Sequence, residues 1–274
     1  EVLTGWLLQG RSFSANVRQA LELELFASTL LLLVQLGADW VGLPPPLTPL
    51  QLLALVAATT PALSAPLLLG NIDPRNKKEM VAKNEGPPPT WRHGTRLVAR
   101  ALPSALCIVA LFGSLVLSAG APATQPRRWP PPPPPPHALS AARQQTLFFA
   151  ALLLAVHSRS FAHATLDGSR YPPSANLAWV VGAALALAVH ACALVLALGA
   201  GDVLRVLAAS PLLSCLLAGA APAVASSSDW LFKRHDRRHF ERLNKRRYLD
   251  FTTKLGMHSP IEPGHRAPTS YLDA

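Results

Sequence analysis

The chain has 274 residues, half of them hydrophobic, and a formal net charge of +10. That charge raises nucleic-acid binding, but the basic residues flank long apolar blocks with few aromatics between them, so membrane orientation accounts for them and no nucleic-acid partner is expected. Cys107, Cys192 and Cys215 lie inside apolar blocks, without the spacing of a disulfide framework or a zinc site.

A hydrocarbon core roughly 30 Å thick needs about 20 apolar residues in a spanning helix. Six blocks meet or approach that length, so an all-α membrane protein with six transmembrane helices is expected and the lipid bilayer is its first partner. Residues 1–24 read as an amphipathic cytosolic lead-in, with Arg11, Arg18, Glu22 and Glu24 among apolar residues. Residues 25–70 hold the first two spans, Leu25–Leu43 and Leu47–Gly70, separated by Pro44-Pro45-Pro46. Residues 71–100 form a basic loop, and residues 101–120 the third span. Residues 121–144 are proline-rich, with seven consecutive prolines from Pro130, a run that cannot be helical and favours polyproline II. Residues 145–228 carry spans four to six, about Gln145–Thr165, Ala175–Ala200 and Val206–Ser227. Residues 229–274 are a basic tail. The chain opens at Glu1 within a helical pattern and shows no charged leader before a short apolar core, as expected of a piece of a longer protein.

Lys and Arg set the orientation. The loop after span two and the tail after span six are both basic, from Arg75 to Arg100 and from Lys233 to Arg247, whereas the loop between spans one and two has neither residue. Both termini are therefore expected in the cytosol, with the proline-rich loop on the luminal side. The basic tail either anchors this topology or also binds anionic lipid headgroups.

Three stretches carry a family resemblance. Gly10-Arg11-Ser12-Phe13, followed by Asn16-Val17-Arg18, resembles the stalk that enters the fifth helix of P-type cation-transporting ATPases. Leu43-Pro44, then Pro46-Leu47-Thr48-Pro49-Leu50-Gln51-Leu52-Leu53, resembles the luminal turn and start of the sixth pump helix. Gln145-Thr146 resembles the opening of the eighth. The six spans would then be equivalent to the C-terminal half of a P-type ATPase transport domain, over roughly residues 5–235. Phe251-Thr252-Thr253-Lys254-Leu255-Gly256-Met257 with Ser259-Pro260 is similar to the tail of a divergent P-type-ATPase-like branch of the endoplasmic reticulum membrane linked to magnesium uptake.

The resemblance implies a multi-pass protein of that membrane, with Mg2+ as the transported ion. ATP would act only in a full-length protein, because the phosphorylated Asp of the Asp-Lys-Thr-Gly motif would lie upstream of Glu1. The missing N-terminal helices and cytosolic domains of the same protein would be the remaining partners.

A pump must hold a desolvated cation near the midplane, and hard divalent ions want oxygen ligands. In the family the sixth helix unwinds around a proline to free carbonyls. Pro61 supplies that break here, with Thr59 and Thr60 beside it. By the Gln51-Leu52-Leu53 register, Val56 stands where calcium pumps carry Asn, Thr59 matches their Thr, and Thr60 replaces their Asp. In span one, Ser28, with Thr29 after it, stands at an Asn position and Leu31 at a Glu position. No Asp or Glu falls within any of the six expected cores; Asp39 is near one end of span one and Asp229 just past span six.

His157 falls near a ligand Glu of calcium pumps. An intramembrane ionisable group is a functional-site hypothesis by default, although a histidine hydrogen-bonded to a neighbouring helix is the plainer account. The ion-path candidates are thus Pro61, Thr59, Thr60, Ser28, Thr29 and His157, with no catalytic residue and the metal ligands unknown. The alternative function is a non-transporting scaffold or regulatory membrane protein with a degenerate ion site.

Overall fold

The structure is a computed structural model describing residues 2–69, 91–120, 135–162, 176–198, 219–232 and 234–235. The described residues form helices joined by turn, bend or irregular backbone, with no strand among them. The elements are α1 (Val2–Trp40), α2 (Pro49–Ala54), a π-helical turn (Leu55–Thr59), α3 (Thr60–Leu68), α4 (Trp91–Gly120), α5 (Pro136–Ala162) and α6 (Leu177–Leu198). Residues 219–232 are also helical. Residues Glu1–Phe232 form one compact unit and Lys233–Ala274 a second.

Among the described residues, five helical segments are long and apolar enough to cross a membrane: Asn16–Trp40, Pro49–Leu68, Gly94–Leu117, Pro136–Phe161 and Leu177–Ala197. They match the first five expected spans in order. The first part of the sixth expected span (206–218), most of the loop at 71–100, most of the proline run and nearly all of the tail lie outside the described residues.

Three boundaries differ from the sequence reading. α1 runs without a break, so the apolar segment reaches back to Asn16 and takes in Glu22 and Glu24, which the lead-in had claimed. α4 starts at Trp91, which puts Arg96 and Arg100 inside a spanning segment. α5 starts at Pro136, the last proline of the run, because proline is well suited to the first turn of a helix, where its missing N–H has no intrahelical role.

The turn between α1 and α2 is fixed by local chemistry. Gly42 takes φ +71°, a left-handed conformation natural to glycine. The Leu43 N–H donates to Ala38 O at 2.9 Å and the Gly42 N–H to Asp39 O at 2.9 Å, a Schellman closure of α1. Thr48 then caps α2: its hydroxyl accepts from the Gln51 N–H, and the Gln51 side chain accepts from the Thr48 N–H at 2.9 Å. This reciprocal box, with Pro49 at the first helical position, is the physical content of the Thr-Pro-Leu-Gln sequence.

α1 packs against α3 and α4, α6 against α3 and α5, and α4 against α5. The core is built on Phe26, Leu30 and Val34 of α1, Ile108 and Phe112 of α4, and Leu153 and Leu154 of α5, each fully or almost fully buried. Gly182 lets α6 approach α3 closely: a Cβ there would lie 2.6 Å from the Ala62 carbonyl oxygen and 3.1 Å from Pro66 Cγ. Close backbone approach at a small residue is a recurrent mode of helix association in membranes.

Candidate functional site

Polar side chains gather at two places. The first is the break between α2 and α3. The Thr60 N–H bonds to Leu55 O, five residues back rather than four. Val56 O thereby loses the donor that α spacing would give it, and Pro61 has no N–H to offer Val56 or Ala57. The Val56 and Ala57 carbonyls thus lack their α-helical donors at the middle of a candidate membrane segment. Val56 is 40% exposed, and Ala57 and Ala58 beside it are exposed as well.

The threonines are buried on the opposite side. Thr60 donates to Leu55 O at 2.8 Å, and Thr59 donates to Ala54 O at 3.3 Å. Thr59 Oγ1 also meets His190 Nε2 of α6 at 2.7 Å. Which of the two donates follows the tautomer of the His190 ring. One turn beyond Pro61, Ser64 donates to Glu24 Oε1 of α1 at 2.6 Å. A carboxylate therefore lies within a candidate membrane segment and touches the helix that Pro61 breaks, one residue before the first expected core, which began at Leu25.

The second place is a network among α4, α5 and residues 219–232. His157 is fully buried, with Nδ1 2.9 Å from Asp229 Oδ2 and Nε2 2.7 Å from Ser104 Oγ. A carboxylate only accepts, so Nδ1 carries a proton, and a neutral ring takes its other bond from the Ser104 hydroxyl. Arg100 Nε donates to Asp229 Oδ1 at 2.5 Å, and Arg100 Nη2 donates to Ser160 at 2.8 Å. The Arg100 guanidinium lies 4.2 Å from the Phe161 ring centre, and the Phe26 ring centre lies 4.5 Å from that of His157. Burial pushes the Asp229 carboxyl up, but His157 and the Arg100 guanidinium together outweigh it and hold the carboxyl below its usual range.

Of the ion-path candidates, the structure brings Thr59, Thr60 and Pro61 together and adds His190. His157 belongs to the second network, where both of its nitrogens are engaged by protein. Thr29 donates to Leu25 O of its own helix at 2.7 Å. Ser28 is exposed on α1 and joins neither place. Sequence reasoning left out Glu24, Ser64, Ser104, Arg100 and Asp229 from the site. For the last two a signal existed, since opposite charges stood at the ends of two spans expected on the same membrane side. Among the described residues, no three of His, Cys, Asp and Glu converge as a metal-binding group.

No family model matches the chain, and neither the curated proteins nor the solved structures compared with it include a match.

Proposed function

We propose that this chain is the membrane half of a P-type-ATPase-like cation transporter, most like transmembrane protein 94, moving magnesium into the endoplasmic reticulum lumen with both termini cytosolic. The observation that carries the reading is the π-turn before Pro61. It takes the α-helical donors away from the Val56 and Ala57 carbonyls within a candidate membrane segment. Backbone without hydrogen-bond partners is tolerated in a bilayer only where it is covered by protein or lines a water-filled cavity. A break at this depth, with threonine hydroxyls one residue away, is the architecture by which discontinuous helices bind ions in transporters. Magnesium keeps several of its waters, so a site with few protein donors, backbone carbonyls among them, suits it.

The test is luminal Mg2+ uptake in cells with and without the full-length protein, using a luminal magnesium reporter. Uptake should fall on deletion and return with the wild-type chain. It should not return with Pro61→Ala, although that variant is folded. Unchanged uptake on deletion would overturn the proposal.

A second reading, a non-transporting scaffold, is favoured by one fact: the Thr59, Thr60, Ser64, His157 and His190 side chains are all engaged inside the protein. Under that reading the combined variant Thr59→Val, Thr60→Val, Pro61→Ala is folded and has the wild-type cellular phenotype. Loss of phenotype with the fold intact excludes it.

A further inference from the structure

α6 meets three polar atoms of the broken helix, all on one side of it. Near the end of α3, Asn176 Nδ2 donates to Pro66 O at 3.3 Å, while Asn176 Oδ1 accepts from the Trp179 N–H at 3.0 Å and so caps the start of α6. Next, the N–H that α spacing would offer Ala62 O belongs to position 66, which is proline. That oxygen faces Gly182, where an added Cβ would come within 2.6 Å of it, so a glycine Cα–H meets the oxygen instead. At the turn itself, His190 Nε2 meets Thr59 Oγ1 at 2.7 Å. Thr59, Ala62 and Pro66 are spaced by three and four positions, one face of a helix. Asn176 and His190 are both buried, and they stand about 20 Å apart along the axis of α6. Trp179 Nε1 donates to Ser158 of α5 at 3.1 Å, which fixes α6 on its other side.

A π-turn is rare, and strained backbone persists where the surroundings over-determine it. Here each end of the break is pinned separately. α2 is held by the Thr48 cap and by Gln51, whose Nε2 donates to Gln144 Oε1 of α5 at 3.3 Å. α3 is held by Ser64 on Glu24 and by the three contacts with α6. If residues 55–59 relaxed to α spacing without losing a residue, α3 would turn by about 100° relative to α2. Pro66, Ala62 and Thr59 would then all leave α6. The relaxation would also return the Thr60 N–H to Val56 O, so that carbonyl goes without its α-helical donor only while the π-turn persists.

We propose that α6 is a splint that keeps the π-turn in place, with His190, Gly182 and Asn176 as positioning residues for the Val56 carbonyl. That this carbonyl meets the transported ion rests on the function proposed above; that α6 holds the turn does not.

Two measurements on the full-length protein separate these statements. Leu50 and Leu69 are 76% and 72% exposed and stand nineteen positions apart. With the surplus residue in the turn they share one side of the helix, and without the turn they would be about 100° apart. Spin labels at Leu50→Cys and Leu69→Cys, in nanodiscs and with the other cysteines replaced, report this angle as a distance. It should be about 3 Å longer in His190→Leu than in the labelled parent. His190→Gln should keep the parent distance, because its amide can still meet Thr59. Gly182→Ala, which pushes α6 off Ala62 O, should give the longer distance. The second measurement is luminal Mg2+ uptake against cytosolic Mg2+ concentration. His190→Leu should raise the half-saturating concentration roughly 10-fold, the usual effect of losing a residue that orients a metal ligand, with little change in the maximal rate per folded molecule. His190→Gln should restore it. An unchanged label distance in both His190→Leu and Gly182→Ala overturns the splint. A lower maximal rate with unchanged half-saturation overturns the positioning role. Absence of uptake in the parent overturns the ion reading and leaves the label distances to decide on α6. If His190→Leu does not fold, Gly182→Ala decides in both measurements.

Discussion

Replacing Asp229 separates charge from hydrogen bonding in the buried network. In Asp229→Asn, the amide oxygen still accepts from Arg100 Nε, and the amide N–H can donate to His157 Nδ1 if the ring proton moves to Nε2 and bonds Ser104. Every hydrogen bond then survives, and what is lost is the counter-charge to a guanidinium whose side chain is only 15% exposed. Removing one partner of a fully buried pair costs about 3–5 kcal/mol; the partial exposure of Arg100 puts the Asn variant below that, at about 2 kcal/mol. Asp229→Ala also leaves the Arg100 and His157 donors without their acceptor, each worth about 1–3 kcal/mol, so its cost should reach about 4 kcal/mol. Reversible unfolding in mixed micelles, read by tryptophan fluorescence, measures both. The double variant Arg100→Gln, Asp229→Asn should recover part of the loss, because the uncompensated charge is gone. Losses below about 0.5 kcal/mol for both single variants, the range of ordinary surface substitutions, would refute the account of Asp229 as the charge partner of Arg100.

Because the folded Asp229 carboxyl is held below its ordinary value, its contribution is present above the unfolded value of about 3.9 and is lost as pH falls through the lower folded value. The stability gap between wild type and Asp229→Asn should thus hold from pH 7 to about 5 and close below about 4, as followed by the same unfolding assay across pH. Gly182→Ala should cost about 1–3 kcal/mol, since the added methyl meets a backbone oxygen that cannot turn away; wild-type stability would mean that α6 and α3 are not in contact there. Thr59→Val, which keeps shape and deletes the hydroxyl, should cost about 1–2 kcal/mol by leaving His190 Nε2 without its partner, and Thr59→Ser should be nearly neutral. Pro61→Ala should raise thermal stability while lowering uptake, because it returns an N–H to the broken turn; a fall in stability would count against the strained-turn account.

The helices were legible because apolar length is written directly in the chain, and the α1–α2 turn because Gly42, Thr48, Pro49 and Gln51 each have a local preference that agrees with its neighbours. That the first candidate segment extends back past Glu22 and Glu24 was not legible for a physical reason: both look like solvent residues until Ser64, forty positions away, is seen to donate to Glu24. Pro61 announced a break, but its form, a five-residue turn upstream of the proline, was not written in any single residue. His157 stood out as an intramembrane histidine. Its partners did not, because Ser104 and Asp229 lie 53 and 72 positions away and come within reach only when three helices pack.

A π-turn holds one residue more than an α-helix has room for, and each residue turns the chain by about 100°. The six residues of α2 and the nine of α3 therefore keep separate angular frames. The exposed face before the proline and the Ser64 face after it are offset in sequence by that single surplus position. Deleting Ala57 or Ala58 would restore regular α spacing and remove the π-turn, while leaving Ser64 on the face that meets Glu24. The alignment of this helix with its neighbours is thus a matter of counting as much as of chemistry.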